Sequence, residues 1–182
     1  MTMRHILPML LLCIIAVSLC GCPYDSPYNL DEAPQENIDD SLIGTWQSIV
    51  TKPSDDTHSI EDPVTVIFEK RTNKEYDFAI TENINELKPY QVIVNDSIKG
   101  TAYISTLAGK RFLNAFIRGK VYLAELIVEN NSISIYPLAE HFTSKYIKNS
   151  RELRTAVEFH YKMRLKPGFD QLFALKNLHK AR

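Results

Sequence analysis

The sequence predicts a mainly β fold: a small antiparallel barrel, or a strongly curled sheet, of about eight strands with a helical C-terminal portion. Apolar residues alternate at period two through most of residues 42–138, the spacing of half-buried strands. Turn-forming clusters break this alternation roughly every 10 to 15 residues, with no helical stretch between them. After Pro137 the apolar spacing lengthens to three and four, as on one face of a helix.

The first strand is expected over residues 42–50, closed by the loop residues Lys52-Pro53-Ser54-Asp55-Asp56. Residues 64–69 are β-branched and aromatic, a strong strand signal. Thr72-Asn73-Lys74 turns the chain into 75–81, where charged or polar residues alternate with Tyr76, Phe78 and Ile80. That pair reads as a hairpin with one wet face. A loop over 83–88 leads to a strand at 90–94. Further strands follow at 100–107, 111–117, 121–129 and 132–138. Ala108-Gly109-Lys110, Arg118-Gly119-Lys120 and Asn130-Asn131 separate them; Asn pairs and Gly tolerate the left-handed backbone of tight hairpins.

From about 139 the chain is expected to be helical. Phe142, Tyr146 and Ile147 stand at helical spacing. Asn149-Ser150 forms a break and a helix N-cap. Leu153, Val157, Tyr161 and Leu165 then mark one face of a second helix, which Pro167-Gly168 ends. Residues 169–178 fit either a last helix or a strand returning to the sheet.

The chain has 182 residues, 45 % hydrophobic and 24 % charged, with 21 Lys+Arg against 22 Asp+Glu. This is one domain of ordinary globular composition. The balanced charge argues against a nucleic-acid partner, which calls for a large basic excess.

The N-terminus carries an address. Arg4 precedes an uncharged apolar run, Ile6 to Leu19, which is followed by Leu19-Cys20-Gly21-Cys22. A basic start, a short apolar stretch and small residues at a cut site make a secretory leader, here residues 1–21. Leu-Cys-Gly-Cys resembles the bacterial lipobox, which implies acyl chains on Cys22 as the lipid attachment and new N-terminus. The alternatives are a leader without lipid or an uncleaved anchor. Pro23 follows the cysteine. In lipoproteins Asp at that position favours inner-membrane retention, so outer-membrane placement is expected, in either leaflet. Cys13, Cys20 and Cys22 are the three cysteines. The exported domain therefore has no disulfide and must be stable by core burial alone.

Residues 22–41 hold Pro23, Pro27 and Pro34 among six acids, with few large apolar residues. They read as an acidic tether, too polar to offset the entropy of ordering. The domain proper is then 42–182.

Gly44-Thr45-Trp46 resembles the Gly-x-Trp start of the lipocalin-like proteins, and the strand-rich body followed by helices is similar to small bacterial lipoproteins with a lipocalin-like domain. That resemblance implies a barrel plugged by Trp46 at its closed end. It also implies a cup for a small apolar or amphiphilic ligand, lined by Tyr76, Phe78, Tyr90, Tyr103, Phe112 and Phe116 where these face inward. The second lipocalin signature, Thr-Asp-x-Tyr, is absent. Each of these aromatics is equally suited to a packed core, and a barrel of about eight strands can be filled by side chains.

The chain carries no catalytic signature. His58, His141, His160 and His179 are scattered without metal-ligand spacing. Asp39-Asp40, Asp55-Asp56 and Glu61-Asp62 lack the alternation and glycine of a calcium loop. No Gly-x-Ser-x-Gly and no phosphate-cradling loop occurs. The expectation is a non-enzymatic protein without catalytic residues, metal or cofactor. Charge is nevertheless asymmetric: residues 22–62 hold ten acids and one base, residues 141–182 ten bases and three acids. The basic C-terminal surface suits lipid phosphates or an envelope protein partner, or balances the acidic segment within the molecule.

Overall fold

The period-two segments do become strands, because alternation lets each bury one face while its backbone pairs on both sides. A computed structural model describes residues 24–53, 59–81, 97–139, 142–143, 146–163, 168–170 and 173–181, with main chain only at 49–53 and 59–62. Its strands are β1 (Asp25–Ser26), β2 (Gly44–Pro53), β3 (Ser59–Lys70), β4 (Tyr76–Thr81), β5 (Ser97–Leu107), β6 (Lys110–Ile117), β7 (Lys120–Glu129), β8 (Ser132–Pro137) and β9 (Leu175–Lys180). One α-helix, α1 (Ser150–Lys162), stands among the described residues.

Strands β2 to β9 pair in sequence, all antiparallel. β9 also pairs with β2, through Trp46↔Lys180 and Gln47↔His179, and closes an eight-stranded barrel. The expected strand count holds with a change of membership. The expected strand at 90–94, and Tyr90 with it, lie outside the described residues. The eighth strand is β9, the returning alternative for the C-terminal segment.

Three connections are two-residue hairpins, since Leu107 faces Lys110, Ile117 faces Lys120 and Glu129 faces Ser132. Ala108, Gly109, Arg118 and Gly119 all have positive φ, as the twist-matched hairpin turn requires. Asn130 sits at φ 49° in the third.

The barrel interior is apolar. Trp46, Val66, Phe68, Tyr76, Phe78, Ile98, Ile104, Leu113, Leu126, Ile133 and Leu178 form one buried cluster. On β2 to β5 the outward positions include exposed Gln47, Glu69 and Lys99. Apolar inside and polar outside is the reverse of a barrel whose wall meets lipid.

β5, β6 and β7 are apolar on both faces, and a second cluster lies outside the barrel. Phe112, Leu123, Leu138, Phe142, Ile147, Leu153 and Val157 pack there with Leu30. Two elements supply the cover. One is α1, capped by Asn149, whose Oδ1 accepts from Glu152 N at 2.9 Å, while Glu152 Oε2 accepts from Lys148 N at 3.0 Å.

The other cover corrects the sequence reading. The expected tether is, from Tyr24 onward, a strap laid on the barrel wall. β1 pairs with β7 where β8 has stopped, and Tyr24 N donates to Leu138 O at 2.8 Å. Leu30 is buried, Glu36 accepts from Thr106 N at 2.7 Å, and Ile38 N donates to Asn73 O at 2.9 Å. The strap carries few apolar residues, but it satisfies polar groups that the wall presents, which a count of hydrophobics does not register.

A second correction concerns the helical expectation from 139. The described residues between Ala139 and Asn149 are not helical. Phe142 and Ile147 are buried while Tyr146 is 84 % exposed, so the three do not share a face. Phe142 anchors a turn instead, its N–H donating to Ala139 O at 3.0 Å.

Gly100 is required by close approach. A Cβ there would stand 2.1 Å from Phe116 O and 2.9 Å from the Phe78 ring, so the ring occupies space that any other residue would claim. Gly100→Ala is expected to lower stability by about 1–3 kcal/mol through overpacking. Thermal unfolding reads this, and an unchanged midpoint would show that the Phe116 backbone and the Phe78 ring leave room for a methyl group.

Candidate functional site

The expected site aromatics divide between two environments, and the division follows strand parity. Trp46, Tyr76 and Phe78 point into the barrel. Phe112 belongs to the outer cluster. Phe116, four residues on, shares its outward parity and is half-buried. Tyr103 also stands outside, its ring 5.9 Å from that of Phe116. The six expected lining residues therefore do not form one surface. The inward positions of β6 are Leu113, Ala115 and Ile117. Sequence alone could not set the parity, because both faces of β5 and β6 are apolar.

Trp46 and Tyr76 close one end of the barrel. The 3-10 turn Asp40–Leu42 lies across that end and buries Leu42. Trp46 Nε1 donates to Leu42 O at 2.8 Å. Tyr76 OH accepts from Asp39 N at 2.6 Å, and burial pushes its hydroxyl pKa up. Gly44 has φ 128°, with Lys180 Cε 3.0 Å from where its Cβ would stand. Lys180 then reaches over the Trp46 ring, 5.4 Å from its centroid, and donates to Ser41 O at 3.0 Å. Phe68 packs edge-on to Tyr76 with centroids 5.7 Å apart. Trp46 thus lies buried at that end of the barrel, under the 3-10 turn and Lys180.

The outer face holds polar groups that the sequence reading passed over. Asn114 is buried between apolar neighbours. Its Oδ1 accepts from Leu30 N at 2.7 Å and its Nδ2 donates to Ser105 Oγ at 2.9 Å. Tyr103 OH donates to Asp31 O; burial, then the Asp31 charge, raise its pKa far above the ordinary value. Glu125, 5 % exposed, accepts from Tyr161 OH at 2.7 Å. Burial, then that hydrogen bond and charge, hold Tyr161 protonated as a donor. The other carboxylate oxygen lies 3.6 Å from Lys110 Nζ. Polar residues breaking an apolar alternation at Asn114 and Glu125 were the available signal.

These groups tie strap and helix to the wall. Arg154 bonds Asp31 at 2.6 Å and Thr106 O at 2.8 Å. Arg111 bonds Asp39 at 3.0 Å. Among the described residues no group of three or more His, Cys, Asp or Glu could hold a metal ion. His58 and His141 lie outside those residues, as does Cys22. The His160 ring lies 6.2 Å from that of Phe142, and His179 faces Gln47 in the sheet.

Trp46→Ala should cost about 3–5 kcal/mol, read by chemical denaturation; a cost under about 1 kcal/mol would remove it as the plug. Asp39 is pushed up by burial, but hydrogen bonds from Ser41 and Arg111 outweigh this and hold its pKa below the ordinary value. Its contribution is therefore present above about pH 4 and lost as pH falls through the folded-state pKa. Asp39→Asn should lower stability at neutral pH and flatten that acid limb. An acid limb identical to wild type would refute the Arg111–Asp39 linkage.

Neither protein-family models, curated proteins nor solved structures gave a match to this chain.

Proposed function

We propose that the chain is a lipid-anchored protein of the cell envelope, placed in the outer membrane by acyl chains on Cys22. In this reading it has no catalytic role, and its barrel is a filled scaffold rather than a cup. The observation that carries the scaffold reading is the packing of the interior. Val66, Phe68, Tyr76, Ile98, Ala102 and Ile133 each retain at most 1 % of their accessible surface. The other buried members of the interior cluster keep 8 % or less. The Phe78 ring over Gly100 closes the level above. The outward turn of Tyr103, Phe112 and Phe116 removes half of the expected lining, and Tyr103 and Phe112 hold strap and helix instead.

The reading without a catalytic role is supported by Glu125, Tyr161, Tyr103 and Asp39, each of which joins the cover to the wall. The lipid anchor is supported by Leu19-Cys20-Gly21-Cys22, and the polar outer surface of β2 to β4 suits a body held beside a membrane.

A second reading, a small apolar ligand, is favoured by one observation. Away from the plug, Phe78 and Ile117 keep 6 % and 8 % exposure, and Ile80, Tyr122 and Leu175 are only partly buried against the core. A ligand would enter at that far end.

Cys22→Ala should move the protein from the membrane to the soluble fraction; unchanged fractionation would sink the lipoprotein reading. Native mass spectrometry of the protein purified gently from its host envelope should show the acylated chain without a further small molecule. It should also fail to bind a fluorescent fatty acid. A reproducible extra mass lost on solvent extraction would replace the scaffold with the cup.

A further inference from the structure

The described chain begins at Tyr24, two residues after Cys22, and Tyr24 is not free. Its ring packs edge-on against Phe142 at 4.9 Å, and its N–H is bonded to Leu138 O. Phe142 in turn packs on His160 of α1 at 6.2 Å. Two residues span at most about 7 Å, so whatever holds Cys22 holds it beside the C-terminal half of α1.

That half of the helix exposes apolar side chains. Phe159 is 56 % and Met163 57 % exposed, and the Phe159 ring lies 6.3 Å from that of His160. At about 100° per residue, Phe159 and the C-cap residue Met163 stand about 40° apart, with His160 next to Met163 about 60° further round. They are therefore on the Tyr24 side of the helix. Arg154 and Tyr161, which bond Asp31 and Glu125, lie on the other side. Exposed bases stand along the same helix, Lys148 and Arg151 at its N-terminal end and Lys162 beside Met163, where it pairs with Glu158 at 3.0 Å; Arg164 and Lys166 come next in the sequence. Exposed aromatic and sulfur side chains near bases match an anionic lipid interface.

We propose that the outer face of α1, led by Phe159 and Met163, docks on the anionic lipid surface in which Cys22 is anchored, and so fixes the orientation of the barrel. This rests on the lipoprotein reading above. Lipid covers this face rather than a protein partner because the strap brings the anchor to it, and because its bases complement lipid phosphate.

The test uses the full lipidated chain, reconstituted into vesicles of phosphatidylethanolamine and phosphatidylglycerol with bromine on the acyl chains. The protein has one tryptophan, the buried Trp46, so Phe159→Trp adds a reporter against a quiet background. The emission of the added indole should shift to the blue and lose most of its intensity on brominated lipid, while wild-type Trp46 emission is unaffected. Lys148→Glu combined with Lys162→Glu should reduce the quenching. Mass spectrometry of the same sample reads the acyl chains separately. An acylated chain whose added indole stays unquenched overturns the docking alone and gives the face to a protein partner. A chain without acyl mass overturns the lipoprotein reading, and the docking with it.

Discussion

Everything in this fold depends on closure by a strand from the far end of the chain. Without β9, both β2 and β8 would present a row of unpaired backbone groups. β9 pairs with both at once, through Trp46↔Lys180 on one side and Ser132↔His179 on the other. Ser48 Oγ adds a bond to Lys176 O at 2.9 Å, and Ala181 N one to Thr45 O at 2.8 Å. The plug is tied to the same event, since Lys180 covers the Trp46 ring and holds the 3-10 turn through Ser41. Closing the sheet and closing its end are one step. Its partners, Trp46 and Lys180, stand at opposite ends of the domain's sequence, which makes that step slow to nucleate.

A second constraint follows from the wall itself. β5, β6 and β7 bury apolar residues on both faces, so the barrel needs a coat as well as a core. Buried Asn114 and Glu125 make the coat specific. Each is fully hydrogen-bonded only when Leu30 of the strap and Tyr161 of the helix are in place, and an unsatisfied buried group costs about 1–3 kcal/mol. A coat held by apolar contact alone could slide; these bonds set its register. They do so in a domain whose sequence has no cysteine beyond Cys22 to staple it.

The sequence revealed what alternates and concealed what does not. Strands β2 to β8 were legible because period two and turn pairs such as Ala108-Gly109 have local physical causes. β9 was ambiguous for a reason visible in its backbone. Asn177 adopts φ 53° and the β8–β9 register shifts there. This bulge brings both Leu175 and Leu178 against the interior, a spacing of three that mimics a helix. The helical expectation at 139 failed on the same ambiguity, with Phe142 and Ile147 buried by an irregular path. Strap and site were the hardest to read. An acidic, Pro-containing stretch reads as solvated unless one knows that a wall offers Asn114, Thr106 and Arg111 as partners. The parity of Tyr103 and Phe112 was hidden because either face was hydrophobic enough to be the inside.

The strap also changes what an anchor at Cys22 can do. A free tether of about 20 residues has a mean reach of about 25 Å and leaves a body to tumble over the lipid surface. Docked from Tyr24 onward, the same residues leave almost none of that freedom, and the acidic groups Asp25, Asp31 and Asp39 are neutralised by Lys120, Arg154 and Arg111. The charge asymmetry of the sequence is thereby partly internal: strap acids pair with wall and helix bases. On the helix, Lys162 pairs with Glu158 and Arg151 stays exposed outside those pairs. If Cys22 is anchored as proposed, so short a free link would present one side of the body to the lipid, and the contacts of Tyr24, Phe142 and His160 would select that side. A filled interior is consistent with this arrangement: the barrel supplies a rigid wall, and the specific chemistry lies in what the wall carries.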